Sequence, residues 1–395
     1  MKSMLTSMLL LGFFAITSHA QPTARQWNSE IKAGWNLGNQ FESCPIGQDS
    51  ESVGLGDPDG ADNAETAWGN PLVTKKIIKG VRDAGFDAIR IPIRWQWHIN
   101  NPAAMVINKN WMNRIKEVIN WCLDYDLKVI INVHHDKWLE SRPYYNYKDE
   151  NCQKLALLWM NIANELKDYD YRVAFAGTNE VHEPNNWERP NAENLAVQNA
   201  YNQTFVDIVR ATGGKNIKRN LIVQTYVCNP YFGIDNGDFI IPTDFEGNGN
   251  NYMSVELHYY NPWEYAGGCD FYYWGEPYSQ YGVPQSNEKT MTEFFDRVAN
   301  EWGGKGLGIV IGEWGVTNHF KGNEADRIHE NMTYYCKTLV SEARKRGFST
   351  FVWDNNSTGN GPEKFAIFDR ARGMRVVAPW VLNGIKEGAG IKSGK

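Results

Sequence analysis

IVIGEWG, residues 309 to 315, places one carboxylate, Glu313, where a β-branched apolar run breaks into glycine-flanked polar chain. Ile309, Val310 and Ile311 have the character of a strand buried on both faces of a parallel sheet, while Gly312 and Gly315 leave bare backbone that lets neighbours come close. A charge at the carboxyl end of such a strand is costly unless it is used or paired, and barrels of parallel strands gather their chemistry at those ends. VAFAGTNE, residues 173 to 180, repeats the pattern: an apolar run, a small-residue turn, then Asn179 and Glu180.

Working outward, apolar runs alternate with helical periodicity along the whole chain. Strands are predicted at Lys32 to Asn39, Ala88 to Ile93, Lys128 to His135, Val173 to Glu180, Leu221 to Tyr226, Met253 to Tyr260, Gly308 to Gly315 and Thr350 to Asn355. Helices are predicted near 71 to 84, 110 to 125, 151 to 168, 192 to 211, 288 to 302, 323 to 346 and 378 to 387. The interval 227 to 252, rich in Gly, Asn and Asp, reads as loop with at most a short helix. Eight such strands with intervening helices imply an α/β fold, a (β/α)8 TIM barrel. Because a minimal barrel takes about 250 residues, on the order of 100 are left for long loops on the carboxyl-terminal face. No Ser/Gly-rich or Pro-rich linker divides residues 21 to 395, which read as one domain.

The first twenty residues read as a signal peptide: Lys2, an apolar stretch from Met4 to Thr17 too short to span a bilayer, and Ser18-His19-Ala20 at the cleavage point. A secreted protein, extracellular or periplasmic, is therefore expected, with no membrane anchor. The formal net charge of -6 and pI near 5.8 argue against nucleic acid as a partner. A neutral substrate and a monomer are expected. The six cysteines are widely spread and include no CxxC pair; most read as buried thiols, and Cys44 with Cys269 is the pair chosen if any bridge forms.

The strand ends carry the chemistry. Arg90 lies inside the apolar AIRIPI and needs a carboxylate partner, for which Glu180 and Glu313 are the candidates. INVHHD supplies His134, His135 and Asp136; VELHYYNP puts His258 and Tyr260 on one face by period two; FVWDN ends in Trp353. Two carboxyl groups, an Arg, two His, a Tyr and a Trp suit cleavage of a glycosidic bond, where one carboxyl protonates the leaving oxygen and another attacks or activates water. A zinc site from His134, His135, Asp136 and His258 is the alternative, but adjacent strand residues face opposite ways, and no metal or cofactor is expected.

At this point the motifs resemble glycoside hydrolase family 5 of clan A, especially its endo-β-1,4-glucanase-like members. GWNLGN at 34 to 39, ETAWGNP at 65 to 71, IRIPI at 89 to 93, NVHHD at 132 to 136, TNE at 178 to 180, LHYYNP at 257 to 262, IGEWG at 311 to 315 and VWDN at 352 to 355 fall in the family's order. The resemblance implies that Glu180 is the general acid/base and Glu313 the nucleophile of a retaining hydrolase. It also implies that Asn179 bonds the sugar 2-hydroxyl, Arg90 and Tyr260 hold Glu313 ionised, His134 and His258 line the same subsite, and Trp353 stacks under the ring. His135 and Trp263 are further candidates. The implied substrate is a plant-type polysaccharide, most simply a β-glucan such as cellulose, mixed-linkage glucan or xyloglucan. Xylan or mannan cleavage is the alternative, and a non-catalytic sugar-binding barrel a distant one. One departure is Val181, where many members have Pro; Glu183-Pro184 follows, which makes Glu183 a rival for Glu180. The aromatic loop from Trp263 to Tyr281 is expected to split between wall of the cleft and a small core of its own. His182 and His319 are weaker sugar-contact candidates, and the acidic loop 54 to 63 reads as solvated.

Overall fold

The predicted apolar runs form a closed barrel of eight parallel strands: β1 (Gly34–Asn36), β2 (Ala88–Ile91), β3 (Lys128–Asn132), β4 (Val173–Ala176), β5 (Leu221–Gln224), β6 (Met253–Tyr259), β7 (Gly308–Trp314) and β8 (Ser349–Val352). They follow one another around the barrel in chain order, and β8 closes on β1 through Gly34 opposite Phe351 and Trp35 opposite Val352. The computed structural model describes residues 21–45, 52–54, 64–235 and 239–392. The signal-peptide reading, and nearly all of the acidic loop 54 to 63, lie outside the described residues.

Inside the barrel, inward-facing Ala88, Ile130, Ala174, Ala176, Ile222, Val310 and Phe351 pack into one apolar core, joined at the amino-terminal end by Trp27 and Ile31. Trp27 belongs to α1 (Ala24–Ser29), a helix started by the capping box of Thr23 and Gln26. Asn28 ties that helix to two strands by donating to Ser254 Oγ at 2.9 Å and accepting from Ser349 Oγ at 2.6 Å. This plug closes the bottom of the barrel, so the opening lies at the carboxyl-terminal ends.

The outer layer consists of α2 (Lys75–Asp83), α3 (Lys109–Asp124), α4 (Tyr145–Leu166), α5 (Ala192–Ala211), α6 (Glu288–Glu301), α7 (Ala325–Lys345) and α8 (Pro379–Ala389). Each turns an apolar stripe to the sheet; in α3 the buried Met112, Ile115, Val118, Ile119 and Cys122 recur at helical spacing. As the sequence suggests, no long helix joins β5 to β6 among the described residues; the 3-10 turn Tyr226–Cys228 and the short helix Pro230–Ile234 lie between them.

One expectation is corrected. The strands end earlier than predicted: β3 stops at Asn132 and β4 at Ala176, so His134, Asn179 and Glu180 sit on the first residues of loops. The cysteines follow the expectation: all six are free thiols, four of them buried, and the conditional Cys44–Cys269 bridge does not form. Cys44 is buried, whereas Cys269, in the loop after β6, is partly buried and hydrogen-bonds with Thr317.

Candidate active site

At the open end of the barrel the side chains converge on a cleft of about 730 Å³, lined among others by His134, His135, Glu180, His258, Tyr260, Trp263, Glu313 and Trp353. Arg90 and Asn179, both buried, lie directly beneath. Glu180, Glu313, Arg90, Asn179, Tyr260, Trp263, Trp353 and the three histidines His134, His135 and His258 are therefore brought together. A hollow of similar size, about 700 Å³, sits at the opposite end of the barrel beside Arg25, Gly303 and Arg346 and has no carboxylate in its lining.

Glu313 is reached through an irregularity in the pairing of β6 with β7. Leu257 opposes Ile311, and the next pair is His258 with Glu313, so Gly312 is the extra residue. Glycine is required there because a Cβ on Gly312 would fall only 1.8 Å from Glu256 Oε1. Glu313 Oε1 accepts from Arg90 Nη1 at 2.9 Å, and its Oε2 accepts from the Tyr260 hydroxyl at 3.2 Å. Both contacts were expected.

Arg90 does not pair with Glu180. Its second partner is Glu256, whose Oε1 lies 2.9 Å from Nε, while Nη2 donates to Asn179 Oδ1 at 2.8 Å and Nη1 also to Asn36 Oδ1 at 3.0 Å. Glu180 instead meets His258, with Nδ1 to Oε1 at 2.5 Å; the other ring nitrogen stands 3.5 Å from Glu256 and 3.7 Å from Glu313. One ligand atom from each of Glu180, His258 and Glu313 lies within 4.8 Å of the others, so the two cleft carboxylates face one another at short range.

Two cations, Arg90 and His258, thus stand among three carboxylates. Burial disfavours charge on His258, but the Cys228 sulfur and the Glu313 and Glu180 carboxylates outweigh it and raise its pKa well above the usual imidazole value. Glu256 is likewise buried, yet Arg90 first and then His258 and Gln224 hold it below the ordinary carboxylate range. For Glu313 burial wins: against the pull of His258 and Arg90, and with Glu180 and Glu256 adding repulsion, its pKa is raised. Burial and then the Glu313 and Glu180 carboxylates keep the Tyr260 hydroxyl protonated as a donor. His134 is driven well below its usual value by burial, then by His135, Arg90 and His258. That neutral ring lies nearly parallel to Trp353, at 9° and 6.2 Å.

The rival for the acid is engaged away from the cleft. Glu183 is bound on both oxygens, by Asn194 Nδ2 at 3.1 Å and Asn186 Nδ2 at 2.9 Å, and points into its own loop. The residues weighed as zinc ligands are engaged by other partners: His135 pairs with Glu140, Asp136 accepts from Trp95 N and Trp138 Nε1, and His134 meets Asn132. His319 is buried between Tyr265 and Tyr272, away from the cleft, and His182 stacks on Trp187. Of the aromatic loop, Trp263 alone lines the cleft. Tyr265, Tyr273 and Trp274 are buried in a cluster with Tyr278, Tyr334 and Tyr335, so that loop is chiefly self-packed.

Compared with known proteins, residues 50–359 match the family model described as cellulase (glycosyl hydrolase family 5). The chain belongs to glycoside hydrolase family 5. Endoglucanase B of Clostridium cellulovorans is 34% identical over 377 residues, covering 93% of this chain and 76% of that protein. The xyloglucan-specific endo-β-1,4-glucanase of Bacteroides ovatus is 32% identical over 359 residues, covering 89% of this chain and 68% of that one. Among solved structures, the Bacteroides ovatus family 5 xyloglucanase superposes with a TM-score of 0.82 at 30% identity, covering 95% of this chain and 78% of that chain. A broad-specificity endoglucanase from Clostridium longisporum superposes at 0.81 and 27% identity, with 94% and 99% covered. This family 5 protein is a glycoside hydrolase of the endo-β-1,4-glucanase-like kind.

Three groups in the family 5 site escaped the sequence reading. Glu256 carries the same signal as His258, a charged residue two positions earlier on one face of an apolar strand, and could have been found by it. Gln224 closes β5 and donates to Glu256 Oε2 at 2.7 Å. Glu140 comes from a one-turn helix, Lys137–Glu140, and nothing in its spacing marks it. It accepts from Asn179 Nδ2 at 3.3 Å, while the nearby His135 pulls its pKa down to about 2 against burial.

Proposed function

We propose that this chain cleaves internal linkages of a β-1,4-linked glucan backbone, such as cellulose, mixed-linkage glucan or xyloglucan, by double displacement with retention of configuration. The observation that carries the reading is the approach of Glu180 and Glu313, each with an oxygen within 4.8 Å of the other's, in an open cleft. Retaining glycosidases hold their carboxyl pair about 5–5.5 Å apart, whereas inverting ones leave about 6.5–9.5 Å for a water.

In this mechanism Glu313, aimed by Arg90 and Tyr260, attacks the anomeric carbon to form a glycosyl ester. Glu180 gives its proton to the departing oxygen and then takes one from the water that hydrolyses the ester. Asn179, clamped between Arg90 and Glu140, presents its amide toward the sugar 2-hydroxyl. Trp353, backed by His134, forms the platform under the ring being cleaved. Similarity to a xyloglucan-specific relative and to broad-specificity endoglucanases supports a glucan backbone. Residues 1 to 20 act as a signal peptide, and the enzyme works outside the cytoplasm. Reducing-sugar release and viscosity loss across carboxymethyl cellulose, barley glucan, xyloglucan, xylan and mannan test the reading. Fast viscosity loss on the glucans is expected; activity confined to xylan or mannan would overturn the backbone assignment.

A further inference from the structure

We propose that Glu256 is a positioning residue for the reaction: its carboxylate, seated against Gly312, fixes how Arg90 and His258 surround Glu313. The inference rests on Glu313 being the nucleophile. Glu256 is wholly buried on β6 and reaches no substrate. The backbone is shaped around it, since the extra residue of the β6–β7 pairing is a glycine whose Cβ would occupy the position of its Oε1. That oxygen lies 2.9 Å from Arg90 Nε and 3.5 Å from His258 Nε2, so one buried anion holds both cations of the site. Neither Arg90 Nε nor His258 Nε2 makes a hydrogen bond, so the attraction is of charge, and it leaves Arg90 Nη1 and Nη2 for Glu313 and Asn179.

A buried anion with no contact to the sugar adds desolvation cost and gives the fold little that an apolar side chain could not. Its placement makes sense through what it does to its neighbours. Around Glu256 and His258 stand Arg90 from β2, His134 after β3, Glu180 after β4, Cys228 after β5 and Glu313 on β7. The Cys228 thiol, pushed up to about 12 by burial, is neutral. Glu256 therefore adds a fixed negative charge beside both cations, and its repulsion makes Glu313 more basic.

Glu256→Gln keeps the shape and the Gln224 contact while deleting the charge. With the repulsion gone, Glu313 ionises more easily, so the acidic limb of the kcat/KM profile on an aryl cellobioside should move down by roughly half to one pH unit. With Arg90 less firmly aimed, kcat at the optimum should fall at least about tenfold while KM changes little. A role in the fold alone would lower the melting temperature and the active fraction without moving the limb. Gln224→Leu, which removes one anchor of Glu256, provides a milder variant should Glu256→Gln not fold: Glu256 then takes up a proton sooner as pH falls, and the limb should move the same way by less. An unmoved limb in the folded variants overturns the proposal. The underlying assignment fails separately: if a 2-deoxy-2-fluoro cellobioside with a good leaving group labels the unmodified enzyme anywhere but Glu313, the nucleophile is wrong whatever Glu256 does.

Discussion

Tyr260→Phe removes a single oxygen, and with it the hydroxyl that donates to Glu313 Oε2 at 3.2 Å. The ring itself should stay, held by Trp263 and Phe365, each with its centroid 5.9 Å away. Hydrogen bonds to charged groups are worth about 1.5–3 kcal/mol, and one pKa unit corresponds to about 1.36 kcal/mol. The sign is fixed by which form receives the bond: Tyr260 stabilises ionised Glu313, so its loss raises a pKa that burial already holds up. The acidic limb of kcat/KM should therefore move up by about one to two pH units. A pH series on an aryl cellobioside, with circular dichroism to check the fold, reads this directly. An unmoved limb, or one shifted to lower pH, would refute the claim that Tyr260 stabilises the charged nucleophile.

Other consequences follow from the same contacts. Glu180→Ala should cripple polysaccharide cleavage while sparing the first step on an aryl glycoside with an acidic phenol, and added azide should restore turnover as a glycosyl azide; Glu183→Ala, bound in its own loop, should show neither effect. Trp263→Ala should raise KM for long oligosaccharides about three- to tenfold and leave the melting temperature nearly unchanged, since the side chain is 47% exposed at the cleft rim and a stacked ring is worth about 0.5–1.5 kcal/mol. Glu140→Gln should cost roughly 1–3 kcal/mol of stability by denaturant unfolding, discounted because the His135 side chain is a third exposed. Glu140 has a depressed pKa, so its share is present above about 4.5 and is lost as pH falls toward about 2; His135 has a raised one, so its share is present below about 6.5 and fades as pH rises beyond. The difference between the two proteins should thus be largest between about pH 4.5 and 6.5.

The barrel was legible because its signal is redundant: eight apolar runs, each followed by polar residues, leave few other ways to bury Val, Ile and Phe at that spacing. Strand ends were read too long because the apolar pattern runs on through residues such as Val133 and Trp353, whose side chains remain buried or half-buried after the ladder has stopped. In the site, Glu180, Glu313, His258 and Tyr260 announced themselves as costly groups at strand ends. The Arg90–Glu313 pair was legible, but the second partner of Arg90 was missed because a lone sequence shows that a buried cation needs an anion but not how many strands supply one; only the β6–β7 register places Glu256 beneath Gly312. Glu140 could not be found, since its role depends on a one-turn helix folding back against Asn179. The aromatic loop does split between cleft and a core of its own, but which ring goes where was not legible for a related reason. Composition cannot tell rings that face a cleft from rings that face each other, and here Tyr273, Tyr278 and Tyr281 face each other.

Whether Glu313 attacks carbon or Glu180 and Glu313 together activate water is decided by the configuration of the first product. Cleavage of a cello-oligosaccharide should be followed by proton NMR within the first minutes, before mutarotation scrambles the anomers. Double displacement across a carboxyl pair this close predicts that the β-anomer of the new reducing end appears first and the α-anomer only grows in later. An α-anomer formed first would contradict the account.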